Sequence, residues 1–136
     1  MKSWLVPSIL ALLCYGLWGF FPKLAAQHLD PKNVVIYQTF GTVLMTLVIP
    51  LLPGYKWEGY QPASLFGLLT GLVGVIGNLF FTIALSKGKA SIVTPLTATY
   101  PIITLLLATI FLREAISIRQ RVGIALAFLA ALLLGA

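Results

Sequence analysis

From residue 63 to residue 86 the chain contains no Asp, Glu, Lys, Arg or His, and the same holds from residue 90 to residue 112. The hydrocarbon core of a bilayer is about 30 Å thick and is crossed by about 20 apolar helical residues. Runs of that length, recurring between short polar breaks, constrain this chain more than any other feature. A soluble domain is about a quarter charged and about half apolar, whereas these 136 residues are 9% charged and 60% hydrophobic. A fold of this size has no single core able to hide so much apolar side chain. The sequence therefore predicts an all-α integral membrane protein whose main solvent is the lipid bilayer.

Five transmembrane helices are expected, at about 4–21, 34–52, 63–86, 90–112 and 118–136. The last apolar run, 122–136, reaches only about 22 Å at ~1.5 Å per residue. A full crossing therefore starts near Ile118, with Arg119 and Arg121 snorkelling back to the headgroups. FLREAISIRQRVG, residues 111–123, then forms the water-exposed turn between the fourth and fifth helices. The N-terminal stretch looks like a secretory signal in placing Lys2 before an apolar run. It lacks a small-x-small cleavage site and continues through Tyr15 and Trp18 to crossing length, so a retained helix is expected. Residues 1–136 read as a single transmembrane domain, without an internal repeat or a soluble domain.

The polar breaks fit this division. In LDPKN, residues 29–33, Asp30 stands as a helix N-cap with Pro31 at the first helical position. The segment 53–62 carries Tyr55, Trp57 and Tyr60, aromatic residues suited to the membrane interface. SKGK, residues 86–89, is a tight turn.

The net charge of +6 comes from Lys and Arg in ones and twos between apolar runs. Such a pattern marks membrane boundaries and not a nucleic-acid surface. Five crossings place Lys2, Lys56, Arg113, Arg119 and Arg121 on one side and Lys23, Lys32, Lys87 and Lys89 on the other. Five against four weakly prefers a cytoplasmic N-terminus. Orientation fixed by a partner and insertion in both directions (dual topology) both remain open. Cys14 is the one cysteine and His28 the one histidine, so no internal disulfide and no metal ligand set can be assembled. No pairing of nucleophile and base and no cofactor fingerprint is present, so no catalytic residue, metal or cofactor is expected and an enzyme is not.

No Asp, Glu, Lys or Arg falls in the middle of a span, where a proton or ion relay would place one. The chemistry available inside the membrane is therefore neutral. Gln38, Thr42 and Met45 share a face of the second helix. Gly67, Gly71 and Gly74 form a small-residue stripe on the third, ending at Asn78. Such a stripe is expected to be a helix-packing seam, with Asn78 either an interhelical hydrogen bond or a group on a substrate path. Pro95 and Pro101 cannot donate to the carbonyls of Ser91 and Thr97, which predicts kinks and free acceptors in the fourth helix. Thr97, Tyr100 and Thr104 line the neighbouring face. Broken helices recur at the binding sites of transporters, although a kink that only shapes the bundle fits the same residues.

TPLTATYPIITLLLATIFLREAISIRQRVGIALAFLAALLLG, residues 94–135, resembles the last two helices of an EamA-type repeat in the drug/metabolite transporter superfamily. The matching residues are Pro101, Glu114, Gln120 and Gly123, followed by a small-residue-rich apolar end. WGFFPK, residues 18–23, resembles the end of that family's first helix, and TIALSKGKAS, residues 82–91, its turn between helices three and four. Family members usually carry ten helices as two oppositely inserted five-helix repeats. The resemblance therefore implies one half of an inverted-repeat transporter, moving a small-molecule substrate by alternating access in a bacterial-type inner (plasma) membrane. An odd number of helices means that an antiparallel homodimer, or a heterodimer with another half-transporter, is needed to restore the inverted arrangement. The expected substrate path comprises Trp18, Gln38, Asn78, Thr97 and Tyr100. Glu114 is expected to cap its helix or pair with Arg113 or Arg119. The related small multidrug resistance proteins use a first-helix Glu to exchange protons for cationic drugs. Here Cys14, Tyr15 and Trp18 occupy that stretch, which disfavours that mechanism. The alternatives are a non-transporting scaffold subunit that uses the glycine stripe as its interface, and a flippase for a lipid-linked substrate.

Overall fold

The computed structural model describes residues 4–57, 59 and 61–135. Lys2, Tyr60 and Ala136, expected as an orienting charge, an interfacial ring and the end of the fifth span, lie outside the described residues. Every regular element among the described residues is helical, and the chain divides into two compact units, Met1–Lys87 and Gly88–Ala136.

In the first unit, α1 (Leu5–Ala25) continues past the expected boundary at Phe21. Pro22 lies so near the helix end that its missing N–H removes only one late hydrogen bond. The helix then closes with the Ala26 N–H donating to the Pro22 carbonyl at 2.9 Å. The second helix, α2 (Pro31–Val48), starts at the predicted cap: Asp30 Oδ1 accepts from the Lys32 N–H at 2.8 Å, and Pro31 opens the first turn. Its far end tightens into a 3-10 turn over Ile49–Leu51, because Pro50 has no N–H with which to continue the α-helical ladder. The third helix, α3, spans Ser64–Lys87. Hydroxyls in a membrane helix need partners that lipid does not supply. Thr39, Thr42, Thr46 and Thr70 each donate to the carbonyl four residues back, at 2.8 to 3.0 Å.

Both α1 and α2 pack on α3. The buried positions are Gly19 and Pro22 on α1, Val34 and Val35 on α2, and Phe81, Thr82 and Leu85 on α3. All lie where α1 finishes, α2 begins and α3 finishes, so the core of this unit sits at one end. Lys23 fastens that end: its Nζ donates to the Leu85 carbonyl at 2.7 Å. That carbonyl is within the last turn of α3, where no intrahelical donor remains and a cation is favoured.

In the second unit the expected fourth helix is interrupted. α4 (Ala90–Thr97) stops, Ala98, Thr99 and Tyr100 form a turn, and α5 (Pro101–Phe111) restarts with Pro101 in its first turn. A proline lacks the donor needed inside a helix but suits a helix start, so the sequence breaks here where a kink was expected. The Thr97 carbonyl, expected to be left free by Pro101, accepts from the Tyr100 N–H at 3.1 Å. Arg113 follows α5 in the left-handed region, at φ +54°, a geometry usually supplied by glycine at helix ends. Then α6 (Ile118–Gly135) opens on a reciprocal cap. Gln120 Oε1 accepts from the Ser117 N–H at 2.8 Å, while Ser117 Oγ accepts from the Gln120 N–H at 3.3 Å. Arg121 donates back to the Ile116 carbonyl through Nε and Nη2, and α6 packs against α4.

Leu5–Ala25, Pro31–Leu51, Ser64–Lys87 and Ala90–Phe111 are long and apolar enough to cross a membrane. The region expected to make the fifth crossing corresponds to α6. Leu12, Phe40, Leu47, Phe66 and Ile110 are each more than 60% exposed, and no residue in the apolar window of Ala90–Phe111 is buried. Apolar surface on this scale is incompatible with water as the surrounding solvent. The protein is an all-α, multi-pass integral membrane protein.

Candidate functional site

A cavity of about 870 Å³ opens between the three helices of the first unit. Trp18 contributes from α1, Tyr37, Gln38 and Thr42 from α2, and Gly71 and Asn78 from α3. Its width follows from its smallest residues. Gly41 stands on the α2 wall and Gly71 and Gly74 on the α3 wall, and a Cβ built on any of them would meet nothing within 4 Å.

Across this cavity, Asn78 Nδ2 donates to Gln38 Oε1 at 2.7 Å. The bond joins residues 40 positions apart, on α2 and α3, and both side chains are partly buried. Away from water such a pair substitutes for the hydration that each amide loses. It leaves Asn78 Oδ1 buried without a partner, and one turn further along α3 the fully buried Thr82 hydroxyl is also unpartnered. Trp18 is fixed by a parallel stack on Phe81, with ring centroids 5.3 Å apart and planes inclined by 7°.

Trp18, Gln38 and Asn78 are thus brought to one cavity. Thr97 and Tyr100 belong to the second unit. The Thr97 hydroxyl donates to the carbonyls of Val93 at 2.8 Å and Thr94 at 3.0 Å, and Tyr100 ends the turn that precedes Pro101, with its ring exposed. Pro95 lies inside α4. The packing seam expected at Gly67, Gly71 and Gly74 does not form within the described chain, because no other element approaches any of the three within 4 Å of an added Cβ. The physical reason is the one-ended core: the packed side chains of α3 are Phe81, Thr82 and Leu85, and the glycines precede them on the part of α3 that borders the cavity or lies open. Glu114 borders a second cavity of about 360 Å³ with Gln120 and Gly123, and among the described residues it pairs with neither Arg113 nor Arg119.

Phe81, Thr82 and the link between Lys23 and Leu85 escaped the sequence reading. Phe81 and Thr82 follow Asn78 at helical spacing, a signal that places them near the same face. No pattern in the sequence specifies that Lys23 reaches a carbonyl 62 residues away.

Residues 2–136 match the EamA-like transporter family. The chain belongs to that family. Among curated relatives, an uncharacterized protein of Methanocaldococcus jannaschii is 28% identical over 98% of this chain and 97% of its own length. An uncharacterized transporter of Archaeoglobus fulgidus is 32% identical over 95% of this chain and 46% of its own length. One from Helicobacter pylori is 30% identical over 78% of this chain and 36% of its own. The EamA-like chain thus spans nearly all of the first relative and less than half of the two named transporters. No solved structure matches it significantly. For a member of a transporter family, the chemical capacity of the cavity is to hold a small solute against aromatic and neutral polar side chains.

Proposed function

We propose that this EamA-like chain is a half-size transporter of the plasma membrane, moving a small metabolite by alternating access as an antiparallel dimer. The observation that carries the reading is the Gln38–Asn78 hydrogen bond set in an otherwise largely apolar cavity beside Trp18. Paired amides inside a membrane helix bundle are costly to bury unless engaged, and here they face a space large enough for a small metabolite. Thr97 and Tyr100, at the break between α4 and α5, complete the path from the second unit. Interrupted helices supply backbone polar groups at membrane depth. The family match across the chain, and its span of less than half the length of two relatives named transporters, support a half-size unit. A chain with an odd number of crossings restores an inverted pair only when two copies insert in opposite directions, and the five-to-four division of Lys and Arg permits this.

Counterflow of labelled metabolites into preloaded proteoliposomes tests the reading. Protein-dependent counterflow of at least one metabolite is expected, with Gln38→Ala and Asn78→Ala each abolishing most of it in correctly inserted protein. Unchanged flux in both variants would remove the path assignment. A second reading, a non-transporting subunit that presents α3 to a distinct protein, draws on the open flank at Gly67. It predicts no flux from the chain alone and copurification of that protein.

A further inference from the structure

The cavity of the first unit has a chemical character narrower than its volume. None of its lining residues is Asp, Glu, Lys, Arg or His. An ion entering such a space gives up hydration with no opposite charge to replace it. The polar feature that spans the cavity is the Gln38–Asn78 pair. Two carboxamides joined by a single hydrogen bond leave one amide nitrogen and one carbonyl oxygen unengaged, whichever way the amides are turned. Here the unengaged acceptor is Asn78 Oδ1, buried and without a partner, and the unengaged donor is Gln38 Nε2. A buried amide group left unpaired is unfavourable, and a ligand carrying the complementary groups relieves it. Trp18, held by its stack on Phe81, gives the same cavity a rigid aromatic wall.

Deepening the transport reading, on which it rests for what the site is for, we infer that the cavity takes an uncharged, flat compound bearing a hydrogen-bond donor and acceptor side by side. Carboxamides, lactams and imides present such an edge. The Gln38–Asn78 pair recognises the edge, Trp18 contacts the flat body, and the lack of charge in the lining excludes carboxylates and ammonium ions. Specificity of this kind is strong because a ligand lacking the edge leaves the protein's own amide groups unmet.

Equilibrium binding of four labelled probes to the full chain in liposomes, corrected with protein-free liposomes, tests the inference. The probes are benzamide, N,N-dimethylbenzamide, benzoate and benzylammonium. Benzamide is expected to bind saturably and about tenfold more tightly than the other three. Gln38→Leu is expected to erase the preference for benzamide over its dimethyl analogue. Equal binding of benzamide and N,N-dimethylbenzamide, tighter binding of either ion, or no saturable binding overturns the inference, and none of these results depends on a variant folding. Because binding is read without flux, saturable benzamide binding with no counterflow of any metabolite removes the transport reading and upholds the inference. Counterflow of a charged metabolite without benzamide binding does the reverse.

Discussion

Replacing Lys23 by Met removes the ammonium that fastens the packed end of the first unit while retaining an apolar stem of similar reach. The ammonium lies 2.7 Å from the Leu85 carbonyl in a part-buried setting, and Leu85 itself has 0% exposure. Water is therefore poorly placed to replace the lost donor. A hydrogen bond from a charged group contributes about 1.5–3 kcal/mol, and a cation at a helix C-terminus adds ~0.3–1 kcal/mol. Desolvation of the ammonium offsets part of this, so the expected net loss is about 2 kcal/mol. The assay is reversible unfolding in mixed micelles at increasing mole fraction of sodium dodecyl sulfate, with linear extrapolation of the unfolding free energy. Lys56→Met, an exposed lysine in the loop after the 3-10 turn, serves as the control and is expected to change stability by less than ~0.5 kcal/mol. If Lys23→Met is indistinguishable from Lys56→Met, the contact to Leu85 does not hold the unit together and the one-ended core loses its fastening.

Gly71→Leu places a bulky side chain on the α3 wall, where an added Cβ meets nothing within 4 Å. The variant is expected to keep its thermal unfolding temperature within a few degrees while losing most counterflow; a stable protein with undiminished flux would detach the cavity from transport. Ser117→Ala removes one half of the reciprocal cap on α6 and is expected to lower stability by about 1 kcal/mol in the same micelle assay. Asp30→Ala, which deletes the acceptor for the Lys32 N–H, is expected to cost about the same amount. A loss below ~0.3 kcal/mol in both would show that these caps contribute little in a bilayer-like setting.

The apolar runs were legible because their length is fixed by bilayer thickness, and the start of α2 because Asp30 and Pro31 each have a specific job at a helix N-terminus. The cap of α6 was legible in principle: Ser117 followed three positions later by Gln120 just before an apolar run is a capping-box signature. It was masked by the charges of the surrounding turn. Two features depended on more than local pattern. Pro22 was tolerated inside α1 because it falls near the helix end, so α1 outran its apolar stretch. Arg113 adopts a left-handed backbone that glycine would have announced and arginine does not. The site shows the same division. Gln38 and Asn78 stood out as amides within apolar runs, but only the packing of α2 on α3 brings them to 2.7 Å. The glycine stripe was expected to close a seam, yet small residues permit close approach without enforcing it, and here they border open space instead.

The dimeric, oppositely inserted arrangement is tested most directly by the location of the C-terminus. Separate fusions of that end to a reporter active only in the cytoplasm and to one active only outside it would be compared at equal expression. The account predicts comparable activity from both, as two populations of the same chain inserted in opposite directions require. Activity from one reporter alone would contradict it, because an antiparallel pair could not then be built from this chain.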